Sequence, residues 1–277
     1  MTIFKQKLEQ ASATNKSLVC IGLDPDLDKM PTKDVYEFNQ KIIEATADLV
    51  CAYKPNLAYY ESLGLPGLIA LEKTISYIKN KASSVLIIGD GKRGDIGSSS
   101  EAYAKAMFQV WGFDAATINS WGGRDTVEPF VADENYGAFL WCRGSNPGSS
   151  DLQDLIVKAD NDEKPLYEHL AQESLNWGKS NLGLVVGATV PNQLRNIRQI
   201  CPETPILVPG IGAQGGELTS AILNGVDSHG RSAIISSSRA IIYASRYSDF
   251  PDAARQAALL LRGSINQILD GEGKGWQ

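Results

Sequence analysis

Short apolar runs recur along the chain, separated by longer stretches in which apolar residues return every three or four positions. Eight such runs stand out, at residues 18–23, 49–54, 85–90, 115–119, 138–142, 184–187, 206–208 and 233–236. They are apolar nearly throughout rather than alternating, which predicts strands buried on both faces, as in a parallel sheet. Between them, residues 34–48, 65–78 and 99–110 carry apolar side chains at helical spacing and predict helices laid against the outside of that sheet. Eight alternations of strand and helix within 277 residues match one closed (β/α)8 TIM barrel, a single domain over 1–277. An open doubly wound sheet is the alternative that the pattern leaves.

No linker rich in Gly, Pro or Ser divides the chain. The longest interruption, about residues 149–181, carries charged and amide residues with helical periodicity near 166–177, and reads as an enlarged connection after the fifth strand.

Composition narrows the function classes. Apolar residues make up 43% and charged residues 21%, enough to bury a sizeable core. A net charge of −6 argues against a nucleic-acid partner, since phosphate backbones select basic surfaces. No segment approaches the ~18 apolar residues needed to span a bilayer, so no membrane partner is expected and a cytoplasmic location is. The four cysteines, Cys20, Cys51, Cys142 and Cys201, show no C-x-x-C spacing and read as buried thiols in a reducing compartment. His169 and His229 stand alone, which disfavours a histidine triad or a zinc site.

In a barrel of this type the reactive groups gather at the carboxyl ends of the strands. There the chain is polar. The first run closes in Asp24-Pro25-Asp26, the second in Lys54-Pro55-Asn56, and the third in Asp90-Gly91-Lys92-Arg93-Gly94-Asp95. Strand alternation turns Asp90 and Lys92 to one face if the third strand runs that far, and the adjacent second strand brings Lys54 beside them. One Lys–Asp pair there reads as a salt bridge closing the barrel top. Four charges, Lys54, Asp90, Lys92 and Asp95, point to function instead, because burying them together is costly. The carboxylates would also suit Mg2+, but the Lys92 ammonium competes for that position, so the expectation is a site without metal.

The last two strands carry a different pattern. Gly210-Ile211-Gly212-Ala213-Gln214-Gly215-Gly216 follows the seventh run, and the eighth closes in Ser236-Ser237-Ser238-Arg239. Glycines let backbone N–H groups approach an anion, and phosphate sites recur after strands seven and eight of this architecture. Arg239 adds a charge-assisted contact. An ordinary tight turn accounts equally well for the glycines alone.

Asp90-Gly91-Lys92-Arg93-Gly94-Asp95-Ile96 resembles the Asp-x-Lys-x-x-Asp-Ile motif of the orotidine 5'-phosphate decarboxylase family. Gly22-Leu23-Asp24-Pro25, Lys54-Pro55-Asn56, Ser145-Asn146-Pro147-Gly148 and the Pro209-Gly210-Ile211-Gly212 loop are similar to its other landmarks, in its order. The stretch after strand five resembles that of the longer bacterial branch. Two positions depart from the common pattern: Ser99 stands where threonine is usual, and Ser238 where many members have glycine before the arginine.

The resemblance implies a cofactor-free decarboxylase acting on orotidine 5'-phosphate. It assigns Lys54, Asp90, Lys92 and Asp95 to the charged network, with Lys92 as proton donor to pyrimidine C6. It assigns Asp24 to the ribose hydroxyls, Ser145 to the pyrimidine amide edge, and Gly212, Gln214, Gly215, Ser238 and Arg239 to the phosphate side. It further implies a homodimer with shared sites, in which Asp95 and Ser99 reach the neighbour's pocket. Two rivals stay open: a Mg2+-dependent sugar-phosphate enzyme such as a 3-keto-L-gulonate 6-phosphate decarboxylase or hexulose-phosphate synthase, and a non-catalytic nucleotide-phosphate sensor.

Overall fold

In the computed structural model, which describes residues 1–159, 162–211 and 215–276, every apolar run lies on a strand. The strands are β1 (Val19–Leu23), β2 (Ala52–Pro55), β3 (Leu86–Arg93), β4 (Ala115–Ile118), β5 (Gly137–Arg143), β6 (Ile156–Ala159), β7 (Asp162–Pro165), β8 (Leu182–Val186), β9 (Ile206–Pro209) and β10 (Ala233–Ser237). All but β6 and β7 close into one barrel in the order β1-β2-β3-β4-β5-β8-β9-β10, with each neighbouring pair parallel. The closed (β/α)8 barrel is the architecture expected from the run-and-helix pattern.

Local chemistry sets where the elements begin. Asp34 accepts a hydrogen bond from the N–H of Glu37 at 3.0 Å and starts the helix Val35–Thr46. In the Lys54-Pro55-Asn56 segment, Pro55 closes β2 and the Asn56 side chain caps the short helix Leu57–Glu61, accepting from Ala58 N at 3.2 Å. The strand is thereby stopped just past Lys54, at the barrel mouth. The helix expected at 99–110 runs over Gly97–Lys105 and finishes in a wider turn, where Trp111 N donates to Ala106 O at 2.9 Å.

Two apolar cores result. The larger lies between the strands and the outer helices. The smaller fills the barrel interior, where Leu86, Ile88, Phe139, Val185, Leu207 and Ile234 meet Phe4, Leu8 and Ala11 of a helix, Ile3–Asn15, not anticipated from the sequence. That helix plugs the end opposite Lys54 and Asp90. Phe4 packs edge-to-face on Phe139 at 6.1 Å, and a Cβ on Gly137 would fall 2.4 Å from the Phe4 ring, so only glycine fits there. The stretch after β5 holds an antiparallel hairpin, β6 with β7, followed by the helix Leu166–Trp177. All four cysteines are buried and free; burial pushes the Cys20 thiol up to about 12 and that of Cys201 to about 11.

Candidate active site

Asp90 is the hub of the barrel mouth. Its Oδ2 accepts from Lys54 Nζ at 2.8 Å, and its Oδ1 accepts from Lys92 Nζ at 2.8 Å and from the Thr117 hydroxyl at 2.7 Å. Lys54 and Asp90 are 6% and 7% exposed, whereas the Lys92 side chain is 36% exposed. The three residues and Thr117 line a cavity of about 230 Å³, which Trp141, Arg143 and Ser145 share. Lys92 Nζ stands 5.9 Å from the centre of the Trp141 ring, a cation over an aromatic face.

Asp90 and Lys92, both on β3, meet by a route that plain alternation does not describe. The register of β3 against β4 shifts between Gly89 and Arg93, and Lys92 has φ +43°, in the left-handed region that non-glycine residues rarely occupy. The Lys92 N–H donates to Thr117 Oγ1 at 3.0 Å and fixes that conformation. Thr117 thus holds both the backbone of Lys92 and the carboxylate that Lys92 touches. Backbone strain of this kind costs about 1 to 3 kcal/mol and persists only where neighbours impose it.

Burial is the largest single influence on the charge of Lys54 and Asp90, and it opposes ionisation of both. The attraction of Asp90 and Asp24 for Lys54, and of Lys54 and Lys92 for Asp90, outweighs it. Lys54 is therefore held above the ordinary lysine range and Asp90 well below the carboxylate range.

The remaining expected residues fall into three groups. At the rim, Asp24 Oδ2 accepts from the Ser238 hydroxyl at 2.6 Å, while its buried Oδ1 has no partner among the described residues. Ser145 is exposed on the turn after β5, its carbonyl accepting from Thr189 Oγ1 at 3.1 Å. Arg239 begins the helix Arg239–Ile242, exposed, with no side-chain hydrogen bond to a described residue. Asp95 and Ser99 stand apart from the charged cluster. Both are exposed, and Asp95 Oδ1 accepts from Ile96 N at 2.8 Å rather than from Lys92. Gly212 and Gln214 lie outside the described residues, and Gly215 opens the helix Gly215–Gly225.

Among the described residues, no group of three or more His, Cys, Asp or Glu is arranged to hold a metal ion. No helix among them is long and apolar enough to cross a membrane.

Comparison with known proteins follows the same lines. Residues 17–249 match the model of the orotidine 5'-phosphate decarboxylase / HUMPS family. The chain belongs to this family. It is 46% identical over 273 residues to the orotidine 5'-phosphate decarboxylase of Thermomicrobium roseum, covering 96% of this chain and 95% of the other. It is equally identical to that of Cellvibrio japonicus, with 95% and 98% covered. Among solved structures, the OMP decarboxylase of Leishmania donovani superposes with a TM-score of 0.83 at 34% identity, over 97% of this chain and 98% of that one.

Sequence reasoning passed over three residues that line this cavity. Thr117, Trp141 and Arg143 lie within or at the end of apolar runs and read there as strand filler. Two of them had a usable signal: Thr117 and Arg143 are polar residues near the carboxyl end of a buried strand, the criterion that picked out Lys54 and Asp90.

Proposed function

We propose that this chain is an orotidine 5'-phosphate decarboxylase, releasing CO2 from pyrimidine C6 to give uridine 5'-phosphate for pyrimidine biosynthesis. Beyond family membership, one observation carries the reading: the Lys54–Asp90–Lys92 array on the wall of a cavity at the barrel mouth. Breaking the C6–carboxylate bond leaves an electron pair on a carbon with no conjugated carbonyl placed to accept it. A cation fixed beside that carbon stabilises the developing charge without reorganisation. Lys92 is that cation, braced at 2.8 Å by Asp90 and free enough to reach into the cavity. Its ammonium then transfers a proton to C6, and the C6 electron pair becomes the new C–H bond.

Asp90 sits close to where the substrate carboxylate must lie and adds repulsion that product formation relieves, a smaller contribution than the cation. Asp24 receives the ribose hydroxyls, and Ser145 reads the pyrimidine amide edge. Gly212, Gln214, Gly215, Ser238 and Arg239 hold the phosphate, whose binding favours closure over the site. No metal or organic cofactor takes part. The working form is a cytoplasmic homodimer in which Asp95 and Ser99 complete the partner's pocket. Their exposure away from Lys92 in the single chain supports that arrangement.

The test is absorbance-monitored turnover of orotidine 5'-phosphate by metal-stripped protein. Full activity in EDTA is expected. Activity lost on chelation and restored by Mg2+ would overturn the cofactor-free reading, and turnover only of a sugar phosphate would overturn the substrate.

A further inference from the structure

Arg143 closes β5 with 5% of its surface exposed, and nothing in the chemistry above employs it. It lines the same cavity as Lys54, Asp90 and Lys92. Its guanidinium is nevertheless committed to protein atoms. Nε and Nη2 donate to the two carboxylate oxygens of Asp154 at 3.0 and 2.8 Å, and Nη1 donates to the Gly144 carbonyl at 2.8 Å and to the Ser149 hydroxyl. Of the five N–H groups of an arginine, four are spent in this way. Arg143 is therefore poorly suited to gripping a substrate anion and well suited to holding protein.

What it holds is the turn that carries Ser145. Gly144 is fixed twice, its carbonyl by Arg143 and its N–H by Gln153 Oε1 at 2.8 Å. At the far end of the turn, the Ser149 hydroxyl joins Arg143 to the Asn146 carbonyl, which it meets at 2.5 Å. Across the turn, a Cβ on Gly187 would lie 2.6 Å from that of Ser145, so the chain after β8 presses on the same residue. Both ends of the turn are thus tied to one planar fork, and Ser145 lies between them.

We propose that Arg143, anchored by Asp154, is a positioning residue for base recognition. It fixes the 144–149 turn so that Ser145 meets the pyrimidine. The inference rests on the decarboxylase reading of this site. Lysine cannot replace it, because a single ammonium lacks the fork that spans Asp154, Gly144 and Ser149 together.

The experiment compares binding of uridine 5'-phosphate and of ribose 5-phosphate, which lacks the base, to the wild type, Arg143→Lys and Asp154→Asn. Arg143→Lys is expected to weaken the nucleotide at least tenfold and the sugar phosphate less than twofold. Asp154→Asn should shift the same ratio in the same direction by a smaller factor. Should Arg143→Lys fail to fold, Gln153→Ala and Asp154→Asn carry the comparison. Equal weakening of both ligands, or an unchanged ratio in every folded variant, overturns the proposal. A wild type that does not prefer the nucleotide overturns the decarboxylase reading instead, and the two failures are distinguishable.

Discussion

Asp90 and Arg143 are both buried charges near the carboxyl ends of barrel strands, on either side of β4, and both sit among oppositely charged or polar partners. In the Asp90 cluster the carboxylate accepts three hydrogen bonds, and Lys92 spends one of its three ammonium hydrogens on it and keeps two. In the Arg143 cluster the cation spends four of its five N–H groups on protein atoms. Two carboxylate–cation clusters on neighbouring sides of one strand thus yield the proposed reactive group in one place and a brace in the other. The donors left over after the protein's own bonds are counted separate them, and so does exposure, 36% of the Lys92 side chain against 6% of that of Arg143.

Lys92→Ala should reveal the largest effect, a fall in turnover of at least ~10³-fold, with little loss of thermal stability because Lys92 is the exposed member of its cluster. A Lys92→Ala protein that instead unfolds early, with turnover per folded molecule intact, would break the comparison. The same variant extends the contrast to Asp95, a carboxylate outside its own chain's cluster. In the proposed dimer, mixing inactive Lys92→Ala and Asp95→Ala subunits should return about one quarter of the active sites, since half of such dimers would be mixed and one pocket in each whole. Verified exchange with no recovery would place the action of Asp95 within its own chain.

Asp90→Asn should cost about 3 to 5 kcal/mol of stability, because it leaves Lys54 buried without its counter-charge. The pH dependence has a definite sign. Asp90 is depressed when folded, so its contribution is fully present above the unfolded value of about 3.9 and is lost as the pH falls through the lower folded value. Lys54 is raised when folded, so its contribution is present below about 10.4 and is lost as the pH rises through the folded value. Urea midpoints of wild type and Asp90→Asn should therefore converge as the pH falls below about 5, where Asp90 of the wild type is protonated too. A gap that widens between about pH 5 and pH 2 contradicts this assignment.

The smallest expected effect is at the rim. Arg239→Ala should weaken uridine 5'-phosphate by about 1.5 to 3 kcal/mol and leave uridine unchanged. Arg239, unlike Arg143, has no described partner to satisfy it, so equal loss for both ligands in a binding titration would mean that it braces the protein instead.

Much of this was legible from the sequence because one rule recurs. A strand buried on both faces must be apolar, so a polar residue at its carboxyl end stands out, and Asp24, Lys54, Asp90 and Lys92 were found in this way. Thr117 and Arg143 obey the same rule but were masked by short or apolar surroundings, while Trp141 is itself apolar. The bond between Asp24 and Ser238 joins residues 214 positions apart, and no local periodicity encodes it. The helix Ile3–Asn15 went unread because only Phe4, Leu8 and Ala11 face the barrel interior, too narrow a stripe to stand out among polar neighbours. The β6–β7 hairpin went unread because its strands are largely exposed, and no burial pattern marks them.

The barrel's seam joins its first and last strands, with Val19 of β1 opposite Ile235 of β10. On a ribosome adding about 5 to 20 residues per second, β1 waits roughly 10 to 40 seconds for that neighbour. Until then the ring is open, and Phe4 and Leu8 lack the complete socket they occupy in the finished fold. Such non-local closure is intrinsically slow and leaves apolar surface uncovered in the nascent chain. Ser238 and Arg239 emerge directly behind β10, so the proposed phosphate grip is synthesised together with the strand that seals the barrel. A nascent chain thus gains the proposed substrate site only at the moment it gains its fold.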